Sequence, residues 1–290
     1  NYLVVGLDIR NFLSITKFLD FFHIVPSFEN GDELKEVILN LAKKYFADWF
    51  ISGIEQEIIL ALEIENELNK INTKVFAPTI DTMNIIIDKY KFYRNLNNIV
   101  KMPETFTKEE FVFDVKKKYI AKPRKGRGSQ KIIIINSLRD LNDINDEYII
   151  QEYISGIEYS VDVLCDMNGN LLNAVPRKRI IIDSGISIVS QTERNFNLIH
   201  LCEIICNKLF FRGFINIQFM KFKDDYYLLD INPRFGGASI LSYYSSGSLR
   251  RNLHSILTGR ISDIKKEIDD IEIVRMERYY IEEFIKIEKN

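Results

Sequence analysis

The stretch that decides how this chain is read runs from Gln218 to Gly237 and closes on Asp230-Ile231-Asn232-Pro233-Arg234-Phe235-Gly236-Gly237. Phe214 to Phe222 reads as a long strand, Lys223-Asp224-Asp225 as a polar turn and Tyr226 to Ile231 as the returning strand, so a hairpin is expected. Residues two apart on a strand face the same way, so Asp230 and Asn232 present two oxygens side by side. Gln218 on the partner strand offers a third. Hard oxygen donors of this kind suit Mg²⁺ or Mn²⁺, the former keeping waters and taking further ligands from phosphates. Arg234, a step beyond, is placed to grip the same phosphates with two N–H groups. The alternative is that Asp230 to Pro233 only ends a strand with turn-forming residues.

Upstream lies Ala121-Lys122-Pro123-Arg124-Lys125-Gly126-Arg127-Gly128-Ser129, a lysine at a strand end followed by a loop of small residues. Gly126 and Gly128 let backbone N–H groups approach phosphate oxygens, Ser129 adds a donor and Lys122 a point charge. It is not a Walker A loop, since no Gly-Lys-Ser/Thr opens a helix. A solvated basic hairpin loop is the competing reading. Arg177, Lys178 and Arg179 lie between two candidate strands; they can neutralise an anionic substrate or form a basic turn.

The first ninety or so residues alternate short apolar strands (Tyr2 to Leu7, His23 to Pro26, Asp48 to Ser52, Lys74 to Pro78) with amphipathic helices at Asp32 to Tyr45 and Glu55 to Ile71. That alternation predicts a parallel α/β sheet. Gly6-Leu7-Asp8-Ile9-Arg10, after the first strand, lacks the glycine spacing of a dinucleotide fingerprint. From Tyr119 onward, paired strands with polar turns predict antiparallel sheet: Tyr119 to Pro123, Gln130 to Ile135, Tyr148 to Tyr153 and Glu158 to Asp166, with a helix over Asn195 to Phe210. The expected divisions are 1–87, 88–154 and 155–290.

The 290 residues carry a formal charge of −2, dispersed rather than in blocks, which argues against a nucleic-acid partner. No apolar run reaches membrane-spanning length and no leader pattern opens the chain, so a soluble, cytoplasmic protein is expected. The three cysteines, Cys165, Cys202 and Cys206, read as core packing rather than metal ligands or a disulfide. His23, His200 and His254 are isolated, and none reads as a general base. Oligomeric state leaves no trace in the sequence.

Four separated segments in order resemble the ATP-grasp superfamily, and within it the branch of the carbamoyl phosphate synthetase large subunit. They are Asp88-Lys89; Lys122-Pro123 with the loop to Ser129; Gln151-Glu152-Tyr153-Ile154 with Gly156 and Glu158; and Gln218 through Asp230 to Arg234. Gly185 to Ile188, running to Thr192, is a weaker fifth match. The resemblance implies an α/β pre-ATP-grasp domain over 1–87 and an α+β ATP-grasp fold with two antiparallel-sheet subdomains, 88–154 carrying the glycine loop and 155–290 the metal site. It further implies ATP clamped between those sheets. Lys89 and Lys122 would touch phosphates or the adenine edge, and the loop with Gly126, Gly128 and Ser129 would close as a lid. The backbone around Glu152, Tyr153 and Ile154 would read adenine, and Glu158 would hold the ribose hydroxyls. Gln218, Asp230 and Asn232 would position the metal, with Arg234 as the catalytic cation.

Two positions depart from the family pattern: Asp230 stands where many relatives carry glutamate, and Gln218 where many carry a carboxylate, the glutamine being a variant of the synthetase branch. The implied reaction is ADP-releasing ligation: a small-molecule carboxylate is activated as an acylphosphate, then opened by an amine or similar nucleophile. A non-catalytic nucleotide-binding regulator on the same fold is one alternative, against which the retained metal set and Arg234 argue; a small-molecule kinase that stops at the phosphorylated product shares every motif.

Overall fold

The structure, a computed structural model, describes residues 2–11, 13–126, 132–282 and 284–285. The chain divides into two compact units, one formed by the described residues of 1–75 and 278–285 and the other by 76–277.

In the first unit the order is β1 (Val5–Asp8), α1 (Leu13–Thr16), β2 (Phe21–Ile24), α2 (Gly31–Tyr45), β3 (Trp49–Phe50), α3 (Glu55–Glu63), α4 (Glu65–Lys70) and β4 (Lys74–Val75). The strands form two two-stranded parallel sheets, β1 with β2 and β3 with β4, where one continuous sheet was the simpler expectation. The helix expected over Glu55 to Ile71 is broken at Ile64. Helix α2 opens with Asp32 and Glu33, closes with Lys43 and Lys44, and buries Leu34, Ile38 and Ala42 on one face. Charges of that order oppose the helix dipole at both ends.

The second unit begins with α5 (Ile80–Ile86) and α6 (Lys89–Leu96), which belong with the later strands rather than with the first unit. Thr82 donates its hydroxyl to Phe210 O at 2.8 Å, and Phe76 stacks against Phe235. The unit thus starts upstream of the boundary expected at residue 88, because these contacts tie residues 76–87 to the later strands.

Next come β5 (Thr105–Phe106), β6 (Tyr119–Pro123), β7 (Ile133–Ile135) and β8 (Tyr148–Glu152), an antiparallel sheet in the order β5-β8-β6-β7. One face buries Tyr119, Ala121 and Ile150 against Phe111, Ile135 and Ile144. Strand alternation turns Ile120, Lys122 and Gln151 to the other face.

The larger sheet holds β9 (Ile157–Cys165), β10 (Leu171–Asp183), β11 (Ile186–Thr192), β12 (Gly213–Phe222), β13 (Asp225–Asn232) and β14 (Arg275–Glu277), in the order β13-β12-β9-β10-β11-β14. Its neighbouring pairs are antiparallel throughout. Helix α7 (Phe196–Lys208) covers one face, its Cys206 thiol 3.9 Å from that of Cys165. All three cysteines are buried and unoxidised. The other face is half covered by α8 (Ser239–Ser245) and α9 (Gly247–Leu257) and half open. Glycine is required at 156, where the chain passes from β8 to β9, because an added Cβ would lie 2.0 Å from Lys221 O.

Candidate functional site

A cleft of about 890 Å³ separates the open faces of the two sheets. Its wall from the smaller sheet carries Ile120, Lys122 and Gln151; its wall from the larger sheet carries Glu158, Gln218, Met220, Leu229 and Asp230. The connection Glu152, Tyr153, Ile154 closes one side, and Lys89, Lys125 and Gly126 stand at another.

The register of β12 against β13 explains how Asp230 reaches this wall. From the turn to Phe219 the pairing is regular, Phe222 with Asp225 and Phe219 with Leu228, and then it shifts by one so that Gln218 faces Asp230. Leu229 is the extra residue of a β-bulge. Continued without it, the ladder would set Leu229 opposite Gln218 and turn Asp230 to the far face of the sheet. Beyond the bulge Asn232 faces Asn216. The Asn232 Oδ1 accepts a hydrogen bond from Arg234 Nη2 at 3.3 Å, and Arg234 Nη1 donates to Phe235 O at 3.1 Å. Neither Asn232 nor Arg234 lines the cleft itself.

The start of the glycine-rich loop, Arg124 to Gly126, is held by Asp88 and Lys89. Asp88 caps α6 by accepting from the Tyr90 and Lys91 N–H groups, both at 3.1 Å, and accepts from Arg124 Nε at 2.7 Å. Burial pushes the Asp88 carboxyl up, but Arg124 and the two N–H donors outweigh it and hold the group below its ordinary range. Lys89 donates its ammonium to Gly126 O at 2.7 Å and its backbone N–H to Arg124 O at 2.9 Å. Gly126 itself takes φ +138, a conformation that glycine adopts at little cost. Gly128 and Ser129, expected in the same loop, lie outside the described residues.

Lys122 carries its ammonium at the floor of the cleft. Desolvation there pulls it down to about 8, against the attraction of Asp230 and with the charge of Lys89 adding to the fall. Glu158 is paired with the Arg179 guanidinium, which also donates to Ser187 Oγ at 2.8 Å and Gly185 O at 2.6 Å. Tyr153 N–H is already committed to Lys118 O at 2.8 Å.

The Arg177 to Arg179 stretch corrects the sequence reading. It is the middle of β10 and not a turn. Arg177 is buried, and its Nε donates to Asp162 Oδ2 at 2.7 Å, away from the residues that line the cleft. The Asp162 carboxylate further accepts from Asn216 Nδ2 (2.6 Å), Ser239 Oγ (2.8 Å) and Ser242 Oγ (2.6 Å). Burial raises this carboxyl, but Arg177 and the hydroxyls more than offset it and keep the group low. Ser239 Oγ also takes the Gly236 N–H at 2.7 Å, so the hub fixes the loop after Arg234. Arg177 thus belongs to the support of the site.

Sequence reasoning passed over Asp162, whose partners are far apart in the chain, and the apolar walls Ile120, Met220 and Leu229. Alternation was the available clue, since Ile120 precedes Lys122 by two and Met220 comes two after Gln218.

The donor set fits a metal carried by phosphates and not one held by protein alone. Asp230 supplies a carboxylate and Gln218 an amide oxygen on one wall. Among the described residues no three His, Cys, Asp or Glu side chains gather to hold an ion unaided. Mg²⁺ with several remaining ligands from phosphate and water matches that set. No helix among the described residues is long and apolar enough to cross a membrane.

Comparison with known proteins gives the same outline. The carbamoyl phosphate synthase arginine-specific large chain of Bacillus subtilis is 24% identical over 223 residues, covering 69% of this chain and 21% of that one. The chain thus spans about a fifth of the length of such curated relatives. The biotin carboxylase of Campylobacter jejuni, solved as a β-γ-ATP complex, superposes with a TM-score of 0.68 at 17% identity, over 90% of this chain and 67% of that one. The biotin carboxylase domain of the Hydrogenobacter thermophilus 2-oxoglutarate carboxylase, solved with MgADP, ADP and bicarbonate, gives 0.69 at 14%, over 91% and 67%. At such identities the likeness is one of fold. The model of the ATP-grasp domain matches residues 86–238, more than half of the sequence, and the chain belongs to that family.

Proposed function

We propose that this chain is an ATP- and Mg²⁺-dependent ligase that activates a small-molecule carboxylate as an acylphosphate and delivers the acyl group to an amine or similar nucleophile. The observation that carries this reading is the cleft in which Lys122 on one sheet faces Gln218 and Asp230 on the other. Cations on one wall and hard oxygen donors on the opposite wall are what a metal-bound triphosphate needs.

In this reading Ile120, Met220 and Leu229 enclose the base, and Glu158 takes the ribose hydroxyls. Adenine contacts fall to the groups of Glu152 and Ile154 beside the committed Tyr153 N–H. Asp230 and Gln218 would hold Mg²⁺, with Asn232 as the third oxygen donor of the set. The ion, when bound, neutralises charge on the transferring phosphoryl group. Arg234, two residues beyond Asn232 in the chain, is the cation that would stabilise the charge developing on the phosphoryl oxygens.

The chemistry balances without a histidine. The substrate carboxylate oxygen bonds to the γ-phosphorus as the bond to ADP breaks. The amine then bonds to the acyl carbon, phosphate leaves, and the amine gives up a proton to solvent. The nucleophile attacks an already activated carbonyl, so positioning and exclusion of water do most of the work.

The test is ADP release from Mg·ATP with pooled carboxylates and amines, followed by identification of the product. Release that needs both pools, with a new carbon–nitrogen bond, supports the proposal. Release with a carboxylate alone and a stable phosphorylated product contradicts the ligation step, and no release from any pool contradicts turnover.

A further inference from the structure

The turn that follows Arg234 is gripped from behind by one hydroxyl. Gly236 and Ser239 exchange two hydrogen bonds, Gly236 N–H to Ser239 Oγ at 2.7 Å and Ser239 N–H to Gly236 O at 3.0 Å. Ser239 is only 5% exposed, and its Oγ donates in turn to Asp162 Oδ1 at 2.8 Å. A hydroxyl has one proton and a carboxylate can only accept, so the pairing with Asp162 settles which way the hydroxyl points. The Ser239 oxygen is then the acceptor that the Gly236 N–H needs.

The Gly236 N–H shares one planar peptide unit with the Phe235 carbonyl. That carbonyl accepts from Arg234 Nη1 at 3.1 Å. Asp162, Ser239, the Phe235–Gly236 peptide and the Arg234 guanidinium thus form one relay. The Phe235 ring stacks on Phe214 with centroids 4.2 Å apart, but a ring contact leaves the following peptide free to rotate. Glycine makes that rotation cheap, since residue 236 tolerates either sign of φ. The same glycine permits the close approach: an added Cβ would lie 3.0 Å from the Asn216 amide nitrogen and 3.1 Å from Ser239 Oγ. The bond to Ser239 is what holds this plane against a flip.

We propose that Ser239 is a positioning residue for phosphoryl transfer: by holding the Phe235–Gly236 peptide it aims the Arg234 guanidinium. The proposal rests on the role given to Arg234 above. Ser242 supplies an internal comparison. It lies one turn further along α8, is buried, and donates its own hydroxyl to Asp162 Oδ2 at 2.6 Å. It serves the same carboxylate, with its proton spent there and no part in holding Gly236. Loss of either hydroxyl leaves Asp162 paired with Arg177, Asn216 and the other serine, so both alanine variants are expected to fold.

Binding of Mg·ADP, alone and with aluminium fluoride as a mimic of the transferring phosphoryl group, tests this in wild type, Ser239→Ala, Ser242→Ala and Arg234→Ala. In wild type the fluoride complex should tighten ADP binding by about a hundredfold or more, the lower end for transition-state analogues. Arg234→Ala should lose most of that gain and Ser239→Ala about tenfold of it, with affinity for Mg·ADP alone unchanged in both. Ser242→Ala should keep the gain in full while its urea midpoint falls about as far as that of Ser239→Ala, since each variant strips one buried hydrogen bond from the same carboxylate. An equal effect of the two serine variants on the gain, whether none or large, overturns the proposal and leaves the hub as support of the fold. A gain that survives Arg234→Ala, or no gain in wild type, removes the role of Arg234 and the proposal with it while leaving the nucleotide site in place. Failure of wild type to bind Mg·ADP removes the nucleotide reading itself.

Discussion

Arg177 and Asp162 form an ion pair of 2.7 Å whose side chains are 2% and 0% exposed. Three further donors close around the carboxylate, while Arg177 Nη1 is buried with no partner. Removing one member of such a pair strands the other charge in the interior, at a cost of about 3–5 kcal/mol. Arg177→Ala should therefore lower the urea midpoint by an amount corresponding to that loss, and Arg177→Met combined with Asp162→Asn should recover part of it. An Arg177→Ala protein as stable as wild type that instead loses substrate saturation would return Arg177 to the substrate site.

The ammonium of Lys122, near 8 in the free protein, gives the cleft a pH signature. Phosphates placed beside it favour the charged form, so binding raises its affinity for a proton. Below pH 8 the side chain is charged before and after binding, and ATP affinity should be flat. Above pH 8 the free protein has lost the proton, and affinity should fall by up to about tenfold per pH unit. Calorimetry at pH 8.5 in two buffers of different ionisation enthalpy should show proton uptake, absent in Lys122→Met. For folding the sign is the opposite. The folded value lies below the ordinary 10.5, so the unfolded chain holds more protons between the two, and the free protein should gain stability as pH rises through that window.

Glu158 carries a second, separable prediction, because Arg179 already orients it from β10. Hydrogen bonds to a charged group are worth about 1.5–3 kcal/mol, so Glu158→Ala should weaken ATP binding by about tenfold or more. If the carboxylate holds ribose hydroxyls, the variant should also lose any preference for ATP over 2′-deoxy-ATP. Arg179→Ala should fall between the two, since the carboxylate remains but loses its support. Equal discrimination of the two nucleotides by all three proteins would place the ribose elsewhere.

The hairpin of β12 and β13 was legible from Phe214 to Ile231, because alternation and the Lys223-Asp224-Asp225 turn are local features. The convergence of Gln218 and Asp230 was also expected, but the means was not. An even-spaced ladder counted back from the turn sends Asp230 to the wrong face, and only the bulge at Leu229 restores it. Bulges leave no composition signature as plain as a turn's. The same limit hid the pairing of Arg177 with Asp162: the basic cluster Arg177-Lys178-Arg179 read as a substrate contact or a basic turn, because its buried partner is set by strand register. Helix α6 shows the reverse case. Asp88, quoted only as part of a motif, has a local role as the cap and a distant one as the anchor of Arg124.

In the proposed mechanism Asp230 holds Mg²⁺ against the ATP phosphates on one wall of the cleft while Arg234 stabilises the transferring phosphoryl group. Metal-borne charge stabilisation is lost from the transition state more than from bound ATP when a ligand is removed. The most direct measurement is substrate-dependent ADP formation by Asp230→Asn and Arg234→Ala beside wild type, with ATP affinity measured on the same preparations. Asp230→Asn should abolish turnover, with slight recovery in excess Mg²⁺ or Mn²⁺. Arg234→Ala should lower it by about two to three orders of magnitude, with ATP affinity little changed. Wild-type turnover in both folded variants would contradict the account and leave Asp230 to Arg234 as no more than the end of a strand.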